Sequence, residues 1–299
     1  MGVDHVSWWC SAEGKVWNWE WSPYLGAWLL TIMLVGLLIA GFRRDRDFPL
    51  RRKVAAFAGV ALLLVATDWP MAAMGAGYLL SVQMARQVLV VLIVLPLLLY
   101  GCPPVVGRWL QAGARRRAFV RVVSTPLFCI IGANVILLTI NTPMVSDRMI
   151  GSPLGSFALD LFWIVAGFLL WFPVQPPAPL TPRLVGPLAM VYLIVQSIAP
   201  LPTAWWMTWG DYPLFSTFEL APRVFEGFGP LDDQHLGAAV MQVVGGLVIW
   251  SQIAVRFLHW MYQRQALENA GIPAFEADVD PGTDDDAPVA DATPSTSVS

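Results

Sequence analysis

Charge is what this chain of 299 residues most lacks: Asp, Glu, Lys and Arg make up 13% of it against 57% apolar side chains, for a mean hydropathy of +0.60. No single core could hide that much apolar surface, which excludes an ordinary soluble domain and makes lipid the solvent for much of the chain. Histidine is nearly missing, with only His5, His235 and His259. There is no paired-His metalloprotease helix, nucleophile elbow, phosphate-cradling glycine loop or haem-attachment motif. Without a complete catalytic constellation an enzyme is not expected, nor is a nucleic-acid partner. The three cysteines, Cys10, Cys102 and Cys129, are an odd set without a Cys-x-x-Cys spacing, which excludes a disulfide framework. Cys10, outside the apolar runs, is weak evidence for a metal ligand or a lipidation site.

What is present is a series of apolar runs, each near the roughly 20 residues that a spanning helix needs. They lie at about 24 to 42, 54 to 70, 77 to 99, 120 to 140, 156 to 172, 184 to 202 and 236 to 258. In the fourth, only Pro126 to Ile140 is cleanly apolar, so its start is poorly defined. Of the eighteen Lys and Arg residues, fourteen fall in alternate connections: Arg43, Arg44, Arg46, Arg51, Arg52 and Lys53, then Arg108, Arg115, Arg116, Arg117 and Arg121, then Arg183, then Arg256 and Arg264. The opposite side holds Lys15, Arg148 and Arg223. The positive-inside rule makes the basic connections cytoplasmic. The expected fold is therefore all-α, a polytopic membrane bundle of seven transmembrane helices with the N-terminus outside and the C-terminus cytoplasmic.

Three regions follow: an external Trp-rich head (1–23), a membrane domain (24–260) and a cytoplasmic acidic tail (261–299). The head has no basic n-region and no small-residue cleavage site, so no removable signal peptide is expected and the head should be translocated intact. Trp8, Trp9, Trp17, Trp19 and Trp21 read as an aromatic belt at the outer headgroups. From Glu268 onward there are eight acidic residues and no Lys or Arg, a composition expected to stay disordered. Without that stretch, 18 basic residues face 13 acidic ones and the formal charge moves from -3 to +5.

Ionisable groups inside lipid are costly and mark function or packing. Two stand out, Arg86 in the third span and Asp160 in the fifth. Gln83, Arg86 and Gln87 are three and four apart, as are Ser156 and Asp160 by four, so each set shares a helix face. At about 1.5 Å per residue Gln83 and Asp160 come to similar depth, which predicts a buried ion pair between Arg86 and Asp160. Asn134, Gln196, Ser197 and Gln242 are expected to join interhelical hydrogen bonds, and Gly237, Gly245 and Gly246 to allow close helix approach. Met71, Met74, Met84, Met144, Met149, Met207 and Met241 gather toward the outer side; thioethers can hold Cu(I), but apolar filling is the plainer reading. The external loop at about 203 to 235, with Trp205, Trp206 and Trp209, is expected to form an interfacial lid before a docking surface.

Several stretches resemble the CtaG-type family of integral membrane proteins linked to cytochrome c oxidase assembly. They are Trp19-Glu20-Trp21-Ser22-Pro23, the third span Ser81-Val82-Gln83-Met84-Ala85-Arg86-Gln87 with its exit Leu95-Pro96-Leu97-Leu98-Leu99-Tyr100-Gly101-Cys102-Pro103, the run Gly167 to Pro173, and Asp233-Gln234 opening the last span. The resemblance implies an assembly factor for cytochrome c oxidase in the plasma membrane, acting in respiratory chain biogenesis beside oxidase subunits or copper chaperones. It also exposes departures. Where the family carries His-Met-x-x-His, this chain has Gln83, Met84 and Gln87, and Ser156 and Asp160 stand where paired His would be expected on the fifth span. A carboxamide is a poor ligand for a soft ion, and Arg86 would repel a cation, so no cofactor is expected in the bundle. Met84, His235 and Met241 are left as weak copper candidates. The expected pocket comprises Gln83, Met84, Arg86, Gln87, Ser156, Asp160, Asp233 and Gln234. A second reading, a transporter or receptor for a small anion using Arg86 and Asp160, stays open beside the assembly reading.

Overall fold

The computed structural model describes residues 7–45, 47–177, 184–198 and 200–269. His5, Arg46, Arg183 and the acidic stretch from 270 lie outside the described residues. Every regular element among the described residues is helical. In chain order they are α1 (Leu25–Arg44), α2 (Leu50–Thr67), α3 (Met71–Gly77), α4 (Leu80–Tyr100), α5 (Pro104–Gln111), α6 (Ala114–Val123), α7 (Pro126–Ile140), α8 (Pro143–Ile150), α9 (Pro153–Trp171), α10 (Gly186–Ile198), α11 (Leu201–Trp209) and α12 (Ser216–Glu219). The last, α13, runs over Pro230–Ala239, a π-helical turn at Val240–Val244 and Gly245–Asn269. Proline opens α5, α7, α8, α9 and α13, where its missing N–H is no loss and its fixed φ suits the first turn.

Residues up to Ile253 form one compact unit, and the chain from Ala254 forms a second. In the second unit Arg264 lies 4.6 Å from the Trp260 ring centroid, and His259 and Gln263 share a hydrogen bond. The helix persists to Asn269, so the first residues of the expected tail, from 261, are helical.

Five helical stretches are long and apolar enough to cross a membrane, and up to seven if each bent pair, α2 with α3 and α6 with α7, is one span. They fall on the seven apolar runs, with three shifts of boundary. The fourth run turns by 71° between α6 and α7, because Pro126 disfavours the helical conformation for Thr125. The second begins at Leu50 and bends by 44° on passing into α3. Helix resumes after the sixth run as α11, which takes Trp205, Trp206 and Trp209 out of the supposed loop, and α13 begins at Pro230. What is left of that loop is tied down: Asp147 of α8 accepts hydrogen bonds from the Ser216 and Thr217 N–H groups and the Ser216 hydroxyl, while Phe215 and Phe218 are buried.

In the first unit α4 is the central helix. In its apolar window 61% is buried against 17% for α1, and it packs against α2, α3, α9 and α13. Residues such as Leu29, Ile32, Met33 and Leu37 on α1 are exposed, an apolar surface far beyond what water-soluble monomers show. A π-helical turn at Leu89–Val94 interrupts α4 just before Pro96. A proline ring collides with the carbonyl four residues back, here Leu92, and the widened turn makes room for it. The Trp171 indole on α9 donates to the Val91 carbonyl inside that turn at 2.8 Å.

Candidate functional site

The polar residues of the third and fifth spans meet at the N-terminal half of α4. Its first turn is held by Asp233 of α13, whose buried carboxylate accepts from the Leu80 N–H at 2.6 Å and the Ser81 N–H at 3.0 Å. A helix N-terminus favours such an anion, and here the cap comes from another helix. Asp233→Asn keeps an acceptor but loses the charge. It is expected to cost about 1–2 kcal/mol, read as a lower thermal midpoint of the purified protein in detergent. Gln234 beside it accepts from the Leu214 N–H and donates to the Met207 carbonyl. Asp233 and Gln234 are thus braces between α4, α11 and α13, and neither lines the site around Arg86.

One and a half turns into α4, Arg86 is 1% exposed. Its Nη2 lies 3.0 and 2.9 Å from the two carboxylate oxygens of Asp160, its Nε donates to the Ala66 carbonyl of α2 at 2.7 Å, and its guanidinium carbon is 5.3 Å from the Trp163 ring centroid. The ion pair expected from spacing and depth is present. Room for it comes from α3, where a Cβ on Gly75 would stand 2.7 Å from Arg86 Cδ.

The head closes this cluster, which the sequence did not signal. Trp9 is buried, and its indole N–H donates to Asp160 Oδ2 at 3.0 Å. Cys10 is fully buried against the Ser156 hydroxyl at 3.6 Å, with Arg86 Nη2 at 3.9 Å. This corrects two expectations. Trp9 is a plug in the bundle and no part of a headgroup belt, and Cys10, though outside the apolar runs, is buried with it. Trp8, Trp19 and Trp21 do remain exposed. Burial pushes the Cys10 thiol up to about 11, and the Arg86 guanidinium offsets only part of that. At neutral pH it is a thiol with no path for reagents. Maleimide is expected to leave Cys10 unlabelled in the folded protein and to label it on denaturation, as peptide mass spectrometry would read.

The other expected residues part company. Gln83 donates to the Ser146 hydroxyl at 3.2 Å and its Oε1 is buried without a partner. Met84 turns to α13, where a Cβ on Gly237 would lie 3.4 Å from both Met84 Cγ and Met207 Cε. Gln87 lines a different cavity with Asn134, Gln196 and Met241. Met84 and Met241 are buried while His235 is exposed, so the imidazole faces away from the interior that holds the thioethers. Among the described residues no three His, Cys, Asp or Glu side chains gather as a metal would need. A guanidinium and carboxylate locked together and amides that diverge do not fit a copper ion at this site. Asp68, missed in the sequence, is buried at the end of α2 and fixes α1 by accepting from the Tyr24 N–H and the Trp28 indole. A span-end aspartate reads as solvated, and only the structure supplies its partners.

Long apolar helices, lipid-facing apolar surface and a sealed intramembrane ion pair define a polytopic helical membrane protein. The chain matches the family described as cytochrome c oxidase caa3 assembly factor (Caa3_CtaG) over residues 13–263, and it belongs to that family. No curated protein and no solved structure matches it.

Proposed function

We propose that this chain serves cytochrome c oxidase biogenesis as a non-catalytic scaffold of the plasma membrane, meeting oxidase subunits or copper chaperones, with its N-terminus outside, its C-terminus cytoplasmic and no copper ion resident among Gln83, Met84 and Gln87. The observation that carries the role is family membership across the whole bundle. Supporting the metal-free reading is the pairing of Asp160, which stands where a His would be expected, with Arg86, the cation beside Gln83 and Gln87. Supporting the orientation is the run of basic residues on α6, set at 71° to α7 as a helix resting on an anionic cytoplasmic headgroup layer would be. The anion-transport reading is weaker, because Asp160 already neutralises the guanidinium that an anion would need.

Deleting the gene in its host is expected to lower haem a absorbance and oxidase activity of membranes, with recovery on re-expression. Normal oxidase content in the deletion strain would overturn the assembly role. Elemental analysis of the purified protein is expected to find copper well below one per chain. Stoichiometric copper that survives loss of His5, His235 and Cys10 would overturn the metal-free part.

A further inference from the structure

A second cavity, of about 70 Å³, opens between α4, α7, α10 and α13. Its walls are mostly aliphatic, from residues such as Val91, Leu92, Leu137 and Ile249, and none of its lining residues is ionisable. Two polar atoms there have no partner. Gln87 is 6% exposed, its side chain makes no hydrogen bond, and its Oε1 is fully buried. Asn134 is held by its amide nitrogen, which donates to the Ile130 carbonyl at 2.6 Å and to Gln196 Oε1 at 3.0 Å, and its own Oδ1 is buried and unpaired. Gln196 in turn donates to the Tyr192 hydroxyl, which donates to the Leu170 carbonyl, so the amide orientations along this chain are fixed by their partners.

The two amides lie at matched depth. Gln87 is about 10 Å along α4 from Leu80 and Asn134 about 9 Å along α7 from Ile140, helix ends on the same face of the membrane. Unpaired acceptors buried in hydrocarbon are costly. Both π-helical turns of the first unit border the cavity, through Val91 and Leu92 on one and Met241 and Gln242 on the other, and such turns gather at binding sites. Gln242 at the rim is exposed on the lipid-facing surface and Ser197 beside it is half-buried.

We infer that this cavity is a lipid-facing binding site for an uncharged amphiphile whose hydroxyl, aliphatic or phenolic, donates to Asn134 Oδ1 and accepts from the Gln87 amide. Asn134 Oδ1 calls for a donor, and the Gln87 amide, which no partner orients, can turn its NH2 to the same oxygen. The absence of a counter-charge in the lining excludes an ammonium or a phosphate. A cavity of this size, little more than two waters, takes the polar head while the apolar remainder follows the groove into lipid. This goes beyond the assembly role and stands independently of it.

The test uses the full-length protein in nanodiscs with a photoactivatable octanol diazirine, and its methyl ether as the probe that lacks the donor. The alcohol is expected to label cavity-lining peptides saturably, and the ether about ten-fold less. A long-chain alkylphenol and hexadecanol, added as competitors, tell a phenolic from an aliphatic ligand; competition by either supports the site. Gly246 lines the cavity and a Cβ there meets nothing within 4 Å, so the side chain of Gly246→Leu starts in open space and occupies part of the cavity, with better helix propensity. It should abolish saturable labelling in a protein that folds as well as wild type. Gln87→Leu, which removes a buried unpaired amide, should fold at least as well and lower labelling about ten-fold. Equal labelling by the ether, labelling that never saturates, or labelling unchanged in Gly246→Leu would overturn the proposal and leave the cavity as a water site.

Discussion

Asp160→Asn is expected to lower the thermal midpoint of the purified protein by about 10 °C, the consequence of about 3–5 kcal/mol lost when one partner of a buried pair is neutralised. The guanidinium of Arg86 would keep its charge and its burial while losing the carboxylate that receives two contacts at about 3 Å. Neither the Ala66 carbonyl nor the Trp163 ring can neutralise it. Arg86→Met should cost a similar amount, because Asp160 would then be a buried anion holding only the Trp9 indole. Joining the two, as Arg86→Met with Asp160→Leu, is expected to recover most of the loss, since apolar replacement of a whole buried pair is often neutral. A double variant as unstable as the singles would mean that the cluster acts through packing of Trp9 and not through charge. The double variant also separates stability from function: if it folds yet fails to restore oxidase in the deletion strain, the pair itself serves the assembly role.

The pair was legible because two charges in apolar runs leave few alternatives, and counting residues from the membrane face set them level. The division of the third span was not. Residues three and four apart share a face only loosely: at 3.6 residues per turn Arg86 lies about 60° to one side of Gln83 and Gln87 about 40° to the other, about 100° apart. In a helix packed on four sides, that angle is enough to send Arg86 toward α2 and α9 and Gln87 into the cavity with Asn134. Trp9 was hidden for another reason. In a Trp-rich head every indole looks like a headgroup anchor, and nothing local separates the one that finds a carboxylate 151 positions away. The apolar runs, by contrast, were read almost directly, because hydrocarbon thickness fixes their length; the boundary shifts came at Leu50, at Thr125 and after residue 202, where a basic first turn, a proline and a resumed helix decide.

Gly101→Ala should be nearly as damaging as loss of a charge. A Cβ at this position would lie 2.6 Å from Ala56 Cβ, the Ala56 nitrogen and the Arg52 carbonyl oxygen of α2. Two of those three atoms are backbone, so no rotamer change relieves the contact and α2 must move. Conformation is not the reason for glycine here, because its φ of -88° suits any residue; the requirement is space. Two residues on, Pro103 presses against α1, where a Cβ on Gly41 would meet the proline ring at 2.7 Å. The Gly101-Cys102-Pro103 exit of α4 is therefore wedged between α1 and α2, and it closes the ends of three helices at once. Overpacking of a rigid contact costs typically about 1–3 kcal/mol and more where backbone must shift, so Gly101→Ala is expected near 3 kcal/mol, a fall of about 6–12 °C in thermal midpoint. Gly41→Ala should follow closely. Gly36→Ala, on the same helix as Gly41 but with nothing within 4 Å, should be neutral or slightly stabilising, since alanine is the better helix former. Equal melting of Gly101→Ala and Gly36→Ala would show that the exit of α4 is looser than the contacts require, and that α1 and α2 are held mainly by Asp68 at their other ends.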